Sequence, residues 1–557
     1  MIQVSNLRVD PKAHDGSERA EGACLRRAVG RRLRVRDEQI TSLEIRRRSI
    51  DARKRDSLHF LYTVRITLVG GANAERTLLD KLRGRHDDRG VTLVQNEPQA
   101  WTPRTRKPLD ERVVVVGAGC AGLFCALELA HAGLEPLLVE RGDDATRRTD
   151  AVERFNATGE LDPESNIQFG VGGAGTFSDG KLATGTKSKL HRLILETFVD
   201  AGAGRDILWD SHPHVGSDVL PRVVDDLCRQ IRDLGGEVRC RCRMTDLDAS
   251  DGRVRAVTLE TRDAETGLVI EERVPTSHVV LACGHSARDV FELLARRGVT
   301  LERKTFAMGV RIEHLQADID RAQYGRFAGL PSLGASPYKL VSHLQNGRSA
   351  FSFCMCPGGY VVAAASEPGH VVTNGMSLAA RDGRNANSGL LANVRPEDLP
   401  GDDPLAGVRL QRECEARAFE LGGGGFVAPA QLVGDFLSGA TSSAGGRVEP
   451  TYPRGVTWGS VEPCLPDYVA DTLRAAIPDM AHRLHGFDAS DAVLTGIESR
   501  SSSPVRVTRG ETCESVSCQG LWVAGEGAGY AGGIMSAATD GIRVARALTA
   551  TLDPGSR

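Results

Sequence analysis

The sequence predicts an α/β protein built around a Rossmann-like domain. The first observation is the segment 112–140, in which an apolar strand, a glycine turn, a helix and a second apolar strand follow one another. The second is a strand, a glycine-rich turn and a long helix at residues 520–552, which we expect to return to the first sheet. Between them, residues 300 to 490 mix strands and loops unlike a doubly wound sheet.

The glycines of the first segment are spaced for a bound dinucleotide. Gly117, Gly119 and Gly122 form GxGxxG where the strand turns into the helix. The first glycine permits the tight turn, the second lets the backbone approach a pyrophosphate, and the third lets the helix pack on the strand. Glu140 follows at about twenty residues, where a carboxylate accepts hydrogen bonds from an adenosine ribose. The alternative, a glycine turn in an ordinary βαβ unit, explains the acid less well.

Composition and charge exclude several classes of protein. With 557 residues the chain is long enough for several domains, and its net charge of −3 gives no general attraction to nucleic acid or membranes. No uninterrupted apolar stretch of about 18 residues is present, and the first residues lack a secretory signal. Thirteen scattered cysteines suit a reducing compartment. We expect a cytoplasmic enzyme without membrane insertion and, in the absence of zinc-type spacings, without a metal.

Four regions are expected along the chain. They are an N-terminal α/β module at 1–100, the first part of a dinucleotide-binding domain at 111–299, an inserted mixed α+β domain at 300–494, and the C-terminal return of the dinucleotide-binding domain at 495–557. Residues 26–55 contain twelve Lys or Arg and four Asp or Glu. This segment is interpreted as a solvated surface because it lacks interleaved aromatic residues, and RNA binding through it is the alternative.

Two CxC pairs are candidate redox groups. Cys240 and Cys242 lie in an apparent strand and are expected to be buried on one face. For Cys354 and Cys356, in FSFCMCPGG, a structural and a redox role both stay open. We expect no dithiol couple, because alternate residues of an extended strand have Cα atoms about 6.5 to 7 Å apart, at the edge of disulfide geometry.

A resemblance covers essentially the whole chain. The motifs NIQFGVGGAGTFSDGKL, LACGHSARD, GVRIEH, SFCMCPGGYVV, NGMS, ESRSSSPVR and VAGEGAGYAGGI together resemble a widespread bacterial FAD-dependent dehydrogenase family with relatives in plastids, within the glutathione-reductase-like flavoproteins. With one complete GxGxxG, the chain resembles the branch of these flavoproteins that binds FAD once and uses an inserted domain for the substrate. The resemblance implies that residues 111–299 and 495–557 form the FAD-binding domain and residues 300–494 the substrate domain. Val171 and Ser501 depart from the FGEGGAG and SRTSSPVR of that family, so no general base is assigned in the first loop.

The resemblance implies a set of cofactor-binding residues. Glycines suit such loops because the planar cofactor needs close backbone approach, although a structural glycine turn is the competing explanation. The ADP half is assigned to Gly117, Gly119, Gly122 and Glu140, the pyrophosphate or flavin to Gly172, Gly173, Gly175 and Ser178, and the ribitol and isoalloxazine to Gly525, Glu526, Gly532, Gly533 and Ile534.

Catalytic residues are only candidates at this stage. Arg311 and His314 are candidates for binding an anion or donating a proton, but either residue is equally suited to pairing in a core. The preferred substrate or flavin-edge contact is the donor-rich turn that begins at Arg500. The turn continues with Ser501, Ser502 and Ser503, and weaker candidates are Lys181, Asn374 and Arg381.

The sequence thus predicts an FAD-dependent oxidoreductase that transfers a hydride between an unidentified organic substrate and flavin N5. NADH or NADPH could reduce the flavin transiently, or a substrate could reduce it and pass electrons to a quinone, a carrier or oxygen. Two alternatives are an FAD-dependent RNA-modifying enzyme and a non-catalytic, flavin-bound regulatory protein.

Overall fold

The structure, a computed structural model, describes residues 1–53, 57–95, 100–263 and 266–552. Within these ranges the strands form five β-sheets, of which a four-stranded, a five-stranded and an eight-stranded sheet dominate the fold. No helix in these ranges is long and apolar enough to cross a lipid bilayer.

The N-terminal residues form a small antiparallel sheet covered by two helices. The segment 59–68 alternates between buried and half-buried residues, as expected for a strand with one face in the core. Tyr324 and Phe327 from a later part of the chain pack into this core, and Arg48 forms an ion pair of 2.6 Å with Asp210. The elements are β1 (Ile2–Val9), α1 (Glu18–Leu33), β2 (Ile40–Asp51), β3 (His59–Leu68), α2 (Gly71–Gly84) and β4 (Val91–Leu93), in the sheet order β2-β3-β1-β4.

The next part of the chain begins the parallel sheet. Its strands at 114–116 and 137–139 are apolar and buried on both faces, as parallel strands between helices must be. A small antiparallel sheet of three strands, between residues 242 and 275, precedes the next parallel strand at 279–281. The elements are β5 (Val114–Val116), α3 (Cys120–Ala132), β6 (Leu137–Val139), α4 (Ala145–Thr158), α5 (Leu190–Asp200), α6 (Leu220–Asp233), β7 (Glu237–Arg239), β8 (Cys242–Asp248), β9 (Ala256–Arg262), β10 (Val269–Pro275), β11 (Val279–Leu281) and α7 (Arg288–Arg296).

An eight-stranded mixed sheet follows. Its path is β14-β15-β17-β13-β20-β18-β19, and β16 pairs with β15. The last strand, β20, lies beside β13 and continues to Glu498, four residues past the domain boundary expected at residue 494. The elements are β12 (Leu301–Arg303), β13 (Phe306–Leu315), α8 (Gln316–Tyr324), β14 (Val341–His343), β15 (Ser349–Ala363), β16 (Thr373–Ser377), β17 (Asn385–Val394), α9 (Ala406–Leu421), β18 (Ala428–Leu432), α10 (Val433–Ser438), β19 (Val456–Trp458), α11 (Asp467–Ala481) and β20 (Val493–Glu498).

The chain then returns to the parallel sheet through β21 (Val505–Val507), β22 (Leu521–Val523) and α12 (Ile534–Thr551). The strand order β22-β11-β5-β6-β7 places the last strand beside β11, which confirms the return expected from the sequence. Helices α3 and α12 touch closely: a Cβ atom on Gly541 would lie 2.1 Å from the carbonyl oxygen of Ala121. The GxGxxG turn and the C-terminal glycine turn are therefore neighbours in space.

Candidate cofactor and substrate site

Two glycine loops meet at the carboxyl ends of the parallel strands. Gly119 and Gly172 form an isolated parallel bridge, and the Gly172 N–H donates to the Ala118 carbonyl at 2.8 Å. One continuous cavity opens here and extends to the eight-stranded sheet. The crevice at this edge of an open parallel sheet is where α/β proteins bind their ligands.

The three glycines of GxGxxG differ in what surrounds them. A Cβ atom on Gly117 would lie 2.6 Å from the Ala282 carbonyl oxygen, and one on Gly122 would lie 1.8 Å from the Gly117 carbonyl oxygen. Gly119 would meet only the Gly173 Cα, at 3.8 Å, and it lines the cavity. The first N–H groups of α3 have no acceptor within the helix, so this end fits a pyrophosphate.

Glu140 fixes the loops and also lines the cavity. Its Oε2 accepts the Ala118 N–H at 2.8 Å, and its Oε1 accepts the N–H groups of Gly142 and Gly170 at 3.0 and 2.9 Å. A carboxylate offers about four acceptor positions, so one stays available to a ribose hydroxyl. The residue predicted as a ribose ligand is thus also a structural link between loops.

Sequence reasoning missed several residues at this end of the cavity. The Arg141 guanidinium stacks over the Phe169 ring at 4.2 Å and forms an ion pair with Glu164 at 2.8 Å. Gly284, with φ of 74°, occupies the turn after β11, and a Cβ atom there would meet nothing within 4 Å. The strand, glycine and helix pattern at 278–298 was the available signal for this turn. The missed residues that line the cavity include Arg141, Phe169, Arg243, Met244, Cys283, Gly284 and His285.

Arg148 is the most consequential residue that the sequence did not reveal. It lies on α4, its side chain is fully buried, and burial lowers its pKa to about 10. The guanidinium donates to five backbone carbonyls of the glycine-rich loop, those of Asn166, Ile167, Gly170, Val171 and Gly173, at 2.8 to 3.2 Å. A guanidinium has five N–H donors, and all of them are used to hold this loop.

The C-terminal glycine turn lines the next part of the cavity. Gly533, with φ of 78°, precedes α12, and a Cβ atom there would meet nothing within 4 Å. Burial raises the pKa of the neighbouring Glu526 to about 7, opposed by the charge of Lys304 and a hydrogen bond from the Gly533 N–H. Gly532 does not line the cavity. The opening thus borders backbone without side chains, a carboxyl group and the positive end of a helix.

Most of the predicted cofactor residues surround this cavity, and two do not. Gly122 packs against the preceding turn and Gly532 faces Glu526, where an added Cβ atom would lie 3.2 Å from Oε1. The residues that line it are Gly117, Gly119, Glu140, Gly172, Gly173, Gly175, Ser178, Gly525, Glu526, Gly533 and Ile534.

At the far end, the cavity is lined by Lys181, Phe353, Cys354, Asn374 and Glu498. Lys181 Nζ lies 3.2 Å from Asp179 Oδ2 and 3.9 Å from Cys356 Sγ. Burial raises the pKa of Glu498 to about 8, even though its ion pair with Arg311 opposes the rise. A protonated carboxyl group and an ammonium group therefore face this end at neutral pH.

Arg311 and His314 do not line the cavity, which corrects two of the candidate roles. His314 is buried with its Nε2 2.9 Å from the Phe487 carbonyl, and burial lowers its pKa. Arg311 is fully buried and donates to Asn374 Oδ1 at 2.7 Å and to the Cys354 carbonyl at 3.0 Å. Arg311 orders the residues of the far end without contacting its space.

Most donors of the turn that begins at Arg500 also bond to other groups of the protein. Arg500 lines the cavity, but its Nε and one terminal nitrogen contact Glu415 at 3.1 and 2.8 Å. Ser501 lines the cavity and donates to the Ala307 carbonyl at 2.7 Å, whereas Ser502 does not line it. The last residue of the turn, Ser503, donates to the Val505 carbonyl. Of the weaker candidates, Lys181 and Asn374 line the cavity, whereas Arg381 is paired with Asp179.

Comparison with known proteins agrees with a flavin site. Residues 305–501 match the family described as FAD-dependent protein, C-terminal domain-like, and residues 112–159 match the family described as FAD dependent oxidoreductase. A protein of Clostridium beijerinckii, described as uncharacterized, is 41% identical over 530 residues, or 95% of this chain and 96% of that one. The chain belongs to the same family as this protein, and the two matching family models identify it as an FAD-dependent oxidoreductase. The FAD dependence predicted from the sequence is thereby confirmed, and residues 1–67 match a domain of unknown function.

Solved structures similar to this oxidoreductase are distant. The flavin-dependent brominase Bmp2 is 13% identical with a TM-score of 0.35, and the match covers 80% of each chain. A glycerol-3-phosphate dehydrogenase from Bacillus halodurans, complexed with FAD, is 12% identical with a TM-score of 0.35 over 82% of this chain and 66% of that one. Similarities at this level carry no argument about substrate or reaction.

Proposed function

We propose that this oxidoreductase transfers a hydride between a small organic substrate and N5 of bound FAD. The observation that carries the proposal is a single cavity that joins the GxGxxG turn, the N-terminus of α12 and a polar far end containing Lys181 and Glu498. FAD, when bound, supplies the two-electron chemistry. The protein supplies position, a shielded space and groups that hold protons.

The residues present fit FAD at both ends of that cavity. The free N–H groups of α3 and the open side of Gly119 fit the pyrophosphate, and the remaining acceptor position of Glu140 fits the ribose. Arg148 keeps the second glycine loop against the first. The Gly533 turn and the start of α12 would hold the flavin itself, because a planar ring system needs backbone approach without side chains.

The far end is the proposed substrate position, and residues 300–494 are the proposed substrate domain. The Lys181 ammonium would attract an anionic or polar group of the substrate. Glu498 carries its proton at neutral pH because its pKa is raised, so it can donate that proton to a substrate atom during hydride transfer. Asn374, fixed by Arg311, adds an amide to the same wall.

Anaerobic mixing of the purified, FAD-loaded protein with NADH, NADPH and metabolite pools tests the proposal. We expect at least one of these reductants to bleach the flavin absorbance, and free FAD under the same conditions is the control. An FAD-loaded protein that none of them bleaches would support a regulatory flavoprotein and contradict an oxidoreductase of this kind.

The Glu526 carboxyl should make the flavin potential depend on pH. Below its pKa of about 7 the group is neutral, and above it a negative charge lies beside the start of α12. Reduction adds negative charge to the flavin, so the ionised carboxylate should lower its potential. We expect Glu526→Gln to raise the midpoint potential at about pH 8 by roughly 30 mV, or about 1.4 kcal/mol for two electrons, and to leave it unchanged at about pH 6.

A redox titration of both proteins at the two pH values measures this effect. Glu511→Gln, at an exposed carboxylate outside the cavity, is the matched control. An equal shift at both pH values would show that Glu526 does not titrate beside the flavin. Gly533→Asp is a poorer test, because the φ of 78° at Gly533 strains any side chain placed there.

The RNA-modifying alternative gains no support from the N-terminal module. Many of its basic side chains are engaged within the protein: Arg26 pairs with Asp37, Arg32 with Asp87, and Arg46 with Glu44. Arg48 pairs with Asp210. Lys54 and Arg55 of the basic segment lie outside the described residues.

A further inference from the structure

The strand that carries Cys354 and Cys356 is not extended at this point. Phe353 pairs with Gly389 and Cys356 with Asn387, so three steps along β15 match two steps along β17. Cys354 itself has a φ of 46°, in the left-handed region. This β-bulge interrupts the extended backbone between the two cysteines, so the Cα spacing expected for an extended strand does not apply. The geometric reason for expecting no dithiol couple was therefore wrong.

The two thiols differ in exposure and in charge environment. Cys354 is partly exposed and lines the far end of the cavity, while Cys356 is fully buried behind it. Lys181 Nζ lies 3.9 Å from Cys356 Sγ, and Arg311 donates to the Cys354 carbonyl at 3.0 Å. The two cations thus contact the sulfur of the buried cysteine and the backbone of the accessible one. An accessible cysteine with a second, buried cysteine two residues away is the arrangement of attacking and resolving thiols.

The charges around the pair favour the thiolate on Cys354. A hydrogen bond from the Cys356 thiol, together with the charges of Lys181 and Arg311, lowers the pKa of Cys354 well below its ordinary value. Burial raises the pKa of Cys356 well above its ordinary value. The opposing groups that face Cys354 are the carboxyls of Asp179, Glu498 and Glu526.

We propose that Cys354 and Cys356 form a redox-active dithiol that passes two electrons from the bound FAD to a small disulfide in the cavity. This rests on the proposed function and names the class of its electron acceptor. A small compound is required because Cys354, the accessible cysteine of the pair, lines the cavity. The other CxC pair, Cys240 and Cys242, has no comparable setting: burial raises the pKa of both thiols, and Cys240 does not line the cavity.

The chemistry balances in three steps. The Cys354 thiolate attacks the substrate disulfide, forms a mixed disulfide and releases one substrate thiolate, which takes a proton. Cys356 then attacks the Cys354 sulfur, gives its proton to the second substrate sulfur and releases it as a thiol. Bound FAD, reduced by a nicotinamide, would supply the two electrons that cleave the resulting Cys354–Cys356 bond. The proton that comes with the nicotinamide's hydride would restore the thiol beside the thiolate. Overall, one disulfide, one reduced nicotinamide and one proton give two thiols and one oxidised nicotinamide.

The first experiment needs no flavin turnover. The protein is incubated with oxidised glutathione, alkylated and digested with trypsin. The mass of the peptide 349–381 is then measured by mass spectrometry, because this peptide contains Cys354 and Cys356 and no other cysteine. We expect this peptide to lose two hydrogens and resist alkylation, while Cys240 and Cys242 stay alkylated. Cys356→Ser should trap glutathione on Cys354, and Cys354→Ser should trap none on Cys356, because the resolving thiol is buried. Cys240→Ser, the matched control, should behave as the parent.

The second experiment follows the flavin. Anaerobically reduced, FAD-loaded parent and Cys240→Ser proteins should be reoxidised by oxidised glutathione, and Cys354→Ser and Cys356→Ser should lose this reoxidation while they keep FAD. A peptide that takes up two alkyl groups under oxidising conditions would overturn the dithiol, even if nicotinamides reduce the flavin. Failure of nicotinamides and metabolite pools alike to reduce the flavin would contradict the proposed function instead, because disulfide formation in the first experiment does not depend on them.

Discussion

Replacing Arg148 with methionine should give a protein that is isolated without FAD and unfolds at a lower temperature. The substitution keeps most of the side-chain volume but removes the five donors that hold the carbonyls of residues 166–173. Leaving these buried acceptors unsatisfied should cost about 3–5 kcal/mol, which corresponds to a fall of roughly 3–4 °C in the thermal midpoint of a chain of this length. The glycine loop would then separate from the GxGxxG turn.

The neighbouring arginine provides the matched control. Arg147 lies on the same helix, α4, but its side chain is exposed, so Arg147→Met should keep both FAD and the parent's thermal midpoint. FAD content is read from the absorbance of the purified proteins, and the midpoint from a thermal scan of the FAD-free forms. If Arg148→Met retained full FAD occupancy, the glycine loop would not depend on this side chain.

The glycine requirements that were visible in the sequence depend on local contacts. Gly117 and Gly122 are needed because of atoms within a few residues or on the adjacent strand, such as the Ala282 carbonyl. Such requirements leave a fixed spacing in the sequence. The same holds for the strand, turn and helix units at 112–140 and 520–552, whose apolar strands and long helices are visible as patterns.

The parts that were missed depend on which distant segments meet. Arg148 contacts a loop that begins eighteen residues later, and no periodic pattern links the two. The candidates on β13 were misplaced for a related reason. Nearly every residue of this strand is buried, so the sequence shows no alternation of polar and apolar residues that would reveal which side chains line the cavity. Arg311 contacts residues of the far end, and His314 bonds to the Phe487 carbonyl. The bulge at Cys354 arises from pairing with β17 and is likewise invisible in the sequence of β15.

Replacing Gly119 with valine should remove FAD from a protein that is otherwise folded. The backbone at Gly119 has φ of −73° and ψ of 179°, which valine adopts easily, and the nearest protein atom to a Cβ there is 3.8 Å away. The added methyl groups would therefore occupy the space meant for the pyrophosphate. We expect the thermal midpoint of the FAD-free protein to change little, and the affinity for FAD to fall at least about a hundredfold, or roughly 2.7 kcal/mol.

Two other glycines make this test specific. Gly22→Val, on α1 and away from the cavity, has no atom within 4 Å of the new Cβ and should leave both stability and FAD content unchanged. Gly122→Ala should damage the fold itself, since its Cβ would lie 1.8 Å from the Gly117 carbonyl oxygen. The three variants thus separate loss of the cofactor from loss of the fold. A folded Gly119→Val protein with the FAD affinity of the parent, measured by titration of FAD fluorescence, would show that the pyrophosphate does not lie on the GxGxxG turn.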